Sequence, residues 1–192
     1  CPGPIEVELT DNITLIILDT QWWLHPFDKP GIFSSCDAQT NKDVVVQLED
    51  LLYINKSKRV IVAAHHPLYS YGFHYGVTKP IKHIFPLLDL GENLYIPLPI
   101  LGSMYHIYRR LYGTIQDMHH PVNKNMRAEI EKVLKKYPGT TYVNGHDHSL
   151  QYIMKDNVNY ITSGSGSRAS YSKKKKGSMF AKSEIGFGII SF

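Results

Sequence analysis

Strands and amphipathic helices alternate along this chain, which predicts an α/β fold built around one layered sheet. Three observations carry that reading. Residues 13–19 (ITLIILD) and 59–64 (RVIVAA) are short apolar runs rich in β-branched residues, as buried strands are, and residues 141–144 (TYVN) are strand-like. Between them, Val44, Leu48, Leu51 and Leu52 share one helical face behind the capping candidates Thr40 and Asn41, and Met126, Ile130, Val133, Leu134 and Tyr137 mark a second amphipathic helix that Pro138-Gly139 stops. Chemistry-bearing polar residues begin where the strands end, the place where open α/β sheets put their sites.

Taken in order, residues 5–9 alternate apolar and polar and read as a first strand. The run at 13–19 ends in Asp19. The run at 59–64 delivers His65-His66-Pro67, and that at 141–144 delivers Gly145-His146-Asp147-His148. Residues 149–154, 158–162 and 186–192 are expected to complete a β-rich C-terminal end. A segment at 79–121 breaks this rhythm. It is rich in Pro, Tyr and aliphatic residues, and residues 95–108 contain no Asp, Glu, Lys or Arg, although Pro97 and Pro99 interrupt them and Arg109-Arg110 follow. It is too short and too broken for a membrane span. The expectation is an insertion packed over the domain; the sharper reading is a lid or a membrane-surface contact through residues 84–112.

A length of 192 residues suits one domain, and the ordinary hydrophobic and charged fractions exclude disordered and fibrous classes. The net charge of +4 is concentrated in the run Lys173-Lys174-Lys175-Lys176, which reads as a solvated loop or a patch for anions. Nothing resembles a nucleic-acid-binding module. The two cysteines, Cys1 and Cys36, lack metal-ligand spacing; they are either one disulfide or two inert thiols. A strand-like run so near a start without Met is expected of a segment within a longer protein.

The chain has ten histidines. His146 and His148 flank one residue just past a strand, and Gly145 lets the backbone turn there. His65 sits at the end of another apolar strand, with His74 nine positions on, so that a rigid ligand is followed by a loop able to carry a second imidazole. His66 and Asp147 read as residues that position these groups. His25, His83 and His106 fall in loops or the insertion, and His119-His120-Pro121 follows no strand. The run from Ser163 to Ser167 lacks the spacing and Lys of a nucleotide-phosphate loop and reads as a turn.

Residues 62–67 (VAAHHP), His74, residues 145–152 (GHDHSLQY) and residues 159–166 (NYITSGSG) resemble the calcineurin-like metallophosphoesterases, above all the purple, tartrate-resistant acid phosphatases. That resemblance implies the C-terminal half of a four-layer αββα sandwich: a mixed β-sheet with flanking helices, spanning residues 1–192 as a partial domain. It implies that His65 and His146 hold one metal ion, that His148 holds a second, and that His74 contacts the phosphate of a phosphate-ester substrate. Two ions drawn from Fe, Zn or Mn, and export from the cytosol, belong to the same implication. Ahead of His65, where the family carries its carboxylate motifs, no Asp-x-His, Gly-Asp or Gly-Asn-His occurs. Asp19 ends a buried strand near His25 but matches a family position that is not a ligand. The expectation is therefore a phosphoesterase whose activity resides in a longer parent, with the isolated chain inactive and dependent on its missing N-terminal half. The rival readings are a non-catalytic binding module and a single-metal hydrolase built from His65, His146 and His148.

Overall fold

The computed structural model describes residues 1–29, 33–91, 93–164 and 166–191. Strands β1 (Ile5–Thr10) and β2 (Ile13–Leu18) form an antiparallel hairpin. Asp19 then caps the short helix α1 (Thr20–Leu24), its carboxylate accepting from Gln21 N at 2.9 Å and Trp22 N at 3.0 Å. Helix α2 (Asn41–Ile54) starts in a reciprocal capping box between Thr40 and Asp43. It leads into β3 (Arg59–Ala64), which lies parallel to β2.

After β3 the chain passes through α3 (Ile81–Ile84), α4 (Pro99–Leu111) and α5 (Pro121–Leu134) before β4 (Thr141–Asn144), parallel to β3. Strands β5 (Leu150–Lys155), β6 (Val158–Ser163) and β7 (Ser178–Lys182) finish the sheet. Among the described residues the molecule is α/β, with flanking helices on a mixed seven-stranded sheet of order β1-β2-β3-β4-β6-β5-β7. The central strands β2, β3, β4 and β6 are parallel and the edges antiparallel.

One face of this sheet carries the core. Ile16, Leu18, Val60, Val62, Tyr142 and Tyr160 pack against Leu48 and Leu52 of α2 and Met126, Ile130 and Leu134 of α5, all nearly or fully buried. The other face is apolar as well. In register, Ile5, Ile17, Ala63, Val143, Ile161, Tyr152 and Phe180 form one row across all seven strands, and each remains partly exposed. Alternation along a strand sends neighbours to opposite faces, so a sheet apolar on both faces suits layers on both sides. Cys1 and Cys36 form a disulfide with a Cα–Cα distance of 5.2 Å, which ties the lead-in to β1 to the loop after α1.

Two sequence expectations change. Residues 186–191 do not form a strand; Gly186 and Gly188 give them little strand propensity. They cross β6 as coil, with Gly188 N–H donating to Ser163 Oγ at 3.0 Å. Phe192 at that strand's end, and Ser165 in the glycine-serine turn, lie outside the described residues. The closing strand is instead β7, just after the exposed lysine run. The segment at 79–121 holds α3 and α4, with Pro99 in the first turn of α4, where a missing N–H costs nothing. No helix among the described residues is long and apolar enough to cross a membrane.

Candidate metal centre

The histidines gather at the C-terminal ends of β3 and β4, two adjacent parallel strands. Gly145 N–H donates to the His65 carbonyl at 3.1 Å, extending the β3–β4 ladder past the strands and fixing the two loops to each other. His146 follows in a left-handed conformation (φ 62°), within a tight turn where Asp147 N donates to Gly145 O and Ser149 N to Asp147 O, each at 2.7 Å. That conformation is uncommon for a residue with a Cβ and is held here by its surroundings.

Hydrogen bonds fix how the rings face. His146 Nε2 lies 3.1 Å from the Gln116 carbonyl, which accepts only, so Nε2 carries the proton and Nδ1 keeps its lone pair. That Nδ1 faces His65 Nε2 at 3.1 Å. Two imidazoles on one tetrahedral ion, with bonds of about 2.0–2.1 Å, have nitrogens roughly 3.3 Å apart. A backbone carbonyl on the far nitrogen is the usual orienting partner of a metal-bound histidine. Burial, then the neighbouring His74 and His66, push the His146 imidazolium down to about 3. Burial, then His74 and His148, lower His65. Both rings are therefore neutral at neutral pH, the form that binds a cation.

His66 is also within reach: one ring nitrogen from each of His65, His66 and His146 lies within 4.8 Å of the others. Its own bonds, however, leave it no lone pair. Gln116 Nε2 donates to Gln21 Oε1 at 3.1 Å, so Gln116 Oε1 accepts from His66 Nε2 at 2.6 Å. Thr20 Oγ1 then donates to His66 Nδ1 at 2.9 Å and accepts from His66 N at 3.1 Å. Burial lowers this imidazole to about 4, with the Gln116 bond acting against the shift. His66 thus locks the floor of the site to α1.

His74 comes from the loop after β3, and its ring centre lies 3.8 Å from that of His146. Its Nδ1 is 3.0 Å from Asp117 Oδ1, so the carboxylate holds the proton on Nδ1 and fixes the ring. Asp117 is itself buried (1 % exposed). It pairs with Arg109 of α4 and accepts from Thr114 N at 2.8 Å and Thr114 Oγ1 at 3.1 Å. Burial would raise this carboxyl, but the bonds from His74, Arg109 and Thr114 outweigh it and hold it well below the usual carboxylate range.

Asp147 joins the two histidine motifs. Ser70 Oγ donates to its Oδ2, and His74 N–H to its Oδ1 at 3.0 Å. A Cβ on Gly72 would stand 2.7 Å from Asp147 Cγ, so only glycine lets the His74 loop approach this closely. Gln151 closes the cluster, donating to Ser70 Oγ at 2.8 Å and Ser149 Oγ at 2.9 Å while accepting from Tyr71 N at 2.8 Å.

Of the residues singled out from sequence, His65, His66, His74, His146 and Asp147 meet in one constellation. His148 stands half-buried beside it, outside the group of converging nitrogens but within electrostatic reach of His65. Asp19 is engaged as the cap of α1. The sequence reading missed Gln116 and Asp117. Asp117-Met118-His119 has the form Asp-x-His, yet its carboxylate serves His74 and Arg109 while His119 Nε2 faces Tyr75 O at 3.2 Å. Among the described residues no carboxylate joins the converging nitrogens. The donor set therefore fits one ion held by His65 and His146 and does not by itself fit a bridged pair of ions.

Fold and site together define an α/β protein with a histidine cluster able to hold a metal ion. No family model matches the chain. A 53-residue stretch, 27 % of the chain, is 38 % identical to purple acid phosphatase 17 of Arabidopsis thaliana and covers 16 % of that protein. A solved structure described as GAP50, the anchor in the inner membrane complex of Plasmodium, matches 95 % of this chain and 43 % of its own, at 22 % identity and a TM-score of 0.44. Each match thus covers less than half of the other protein's own length.

Proposed function

We propose that the chain is the histidine-bearing half of a metal-dependent phosphoesterase of the purple acid phosphatase type. The observation that carries this reading is the 3.1 Å approach of His65 Nε2 and His146 Nδ1 at the ends of adjacent parallel strands, with His146 Nε2 anchored on a carbonyl. The partial identity to a purple acid phosphatase supports the class. In this reading His65 and His146 hold one ion, His148 turns toward a second, and His74, oriented by Asp117, meets the substrate phosphate. Bound divalent or trivalent cations of the Fe, Zn or Mn type would neutralise phosphate charge and lower the pKa of a water. The residues of this chain orient the ligands, carry the substrate-facing imidazole and keep Asp147 and Gln116 behind them.

The partly exposed apolar row on the open sheet face is where a second sheet would pack to complete a four-layer sandwich, bringing the missing carboxylates with it. The disulfide fits an oxidising compartment, hence an exported protein. A second reading, a binding module without catalysis, is favoured by the lack of a carboxylate in the cluster among the described residues.

Zinc titration of the 192-residue chain, followed by p-nitrophenyl phosphate turnover with and without the upstream half supplied, tests the proposal. Expected are binding of about one zinc per chain, lost in His65→Ala and His146→Ala, and turnover only in the completed protein. Zinc binding unaffected by either substitution would overturn the ligand assignment. A completed protein that binds metal but turns over no phosphoester would leave the binding-module reading standing.

A further inference from the structure

Helix α4 is built inside out. Its buried residues are Gly102, His106 and Arg109, a small and polar stripe at i, i+4 and i+7. A Cβ at Gly102 would stand 2.5 Å from the His83 carbonyl, so the helix rests directly on the backbone of α3. The His106 ring lies 4.6 Å from that of His83, and Arg109 is paired with Asp117. Ile100, Leu101, Met104, Tyr108, Leu111 and Tyr112 point outward, each 55–75 % exposed. At about 100° per residue they fall on one arc opposite the buried stripe. A helix pinned by its polar side, with the apolar side outward, needs a partner for that face.

The rim of the helix identifies the partner. Arg110 flanks the apolar arc, and a cavity of about 250 Å³ opens between Ile107 and Arg110 of α4 and Lys173 and Lys175 of the lysine run. None of its described lining residues is acidic. Burial, then the like charges of Arg110 and Lys173, lower the Lys175 ammonium, as crowded cations without an interposed carboxylate require. A second copy docked face to face would set one basic rim against another. An anionic surface with an apolar interior satisfies both features, and tyrosines beside apolar residues suit its interface.

We propose that α4 is a docking surface for an anionic lipid bilayer, with its apolar face in the acyl boundary and a headgroup phosphate in the cavity at Arg110, Lys173 and Lys175. The surface is independent of the metal reading. Its test is sedimentation of the full 192-residue chain with vesicles of phosphatidylcholine alone, or mixed with phosphatidylserine. The chain should partition onto the mixed vesicles and release as salt is raised, since such attraction is screened. Each cation near an anionic surface contributes about a fivefold factor. Neutralising all three (Arg110→Gln, Lys173→Gln, Lys175→Gln) should therefore weaken partitioning about 100-fold. Leu101→Glu with Met104→Glu and Leu111→Glu should abolish it; these exposed sites leave the helix folded by circular dichroism. Three results overturn the proposal: no partitioning onto either vesicle; partitioning that ignores phosphatidylserine; or apolar-face substitutions that dissociate an oligomer while partitioning persists. Saturable binding of inorganic phosphate by a chain that ignores vesicles would assign the cavity to a soluble anion instead.

Discussion

Replacing Asp117 with Asn tests the architecture of the site most sharply, because it removes one charge while keeping volume and shape. The buried Arg109, whose guanidinium carbon lies 3.9 Å from the Phe73 ring centre, then loses its counter-charge. His74 Nδ1 loses its carboxylate acceptor. Removing one partner of a buried pair costs about 3–5 kcal/mol. The Asn amide oxygen still accepts from Thr114 N, which favours the lower end, about 3 kcal/mol. For a chain of this size that lowers the melting temperature by roughly 6–12 °C.

The pH dependence adds a second arm. The folded carboxyl of Asp117 titrates below its unfolded value of 3.8, so its contribution is fully present above that pH and is lost as pH falls toward the folded pKa. Asn does not titrate. The gap between wild type and Asp117→Asn should be widest at neutral pH and should close in acid. Urea unfolding followed by circular dichroism from neutral pH downward measures both arms. A loss under about 1 kcal/mol at neutral pH, well below the buried-pair range, or a gap that stays constant in acid, would refute the buried-pair account.

Two further outcomes are expected. Gly72→Ala drives a methyl toward the Asp147 carboxylate and should cost about 1–3 kcal/mol, the usual toll of overpacking; zinc titration should show weaker binding although no ligand is altered, and unchanged affinity would separate Asp147 from the site. For Glu131, burial acts to raise the carboxyl, but bonds from Lys135, Tyr69 and Lys155 bring it from 4.5 down to about 2. Its stabilisation is therefore present above about pH 4.5 and lost as pH falls toward about 2. Discounted for the solvent around Lys135 and Lys155, that is about 1 kcal/mol at neutral pH, readable as a lowered urea midpoint in Glu131→Gln that vanishes in acid.

Much of this was legible in the sequence. The run at 59–64 is apolar, short and followed at once by His65, and the strand-like run at 141–144 is followed by Gly145-His146, so strand ends and candidate ligands were read from the same residues. Gln116 and Asp117 were not legible, because they lie about 50 residues beyond His66 and 43 beyond His74, in a segment without periodicity. Only the folded chain sets them behind those rings. Helix α4 escaped for a different reason. Hydrophobic periodicity finds helices that bury an apolar stripe, and this one buries glycine, histidine and arginine. The missing strand at 186–191 shows the opposite error, aliphatic residues counted as a strand across two glycines.

The bond from Gly145 N to His65 O has a consequence for how the two imidazoles are spaced. Because it continues the ladder between β3 and β4, the spacing of the two imidazoles derives from the distance between neighbouring strands, about 4.8 Å. Main-chain pitch thus sets the spacing of the two rings, while Gln116, from the chain between α4 and α5, sets how His146 faces its partner. A slip of one residue between β3 and β4 would turn the whole apolar set of one strand onto the wrong face, so the register that builds the core also guards the ligand geometry.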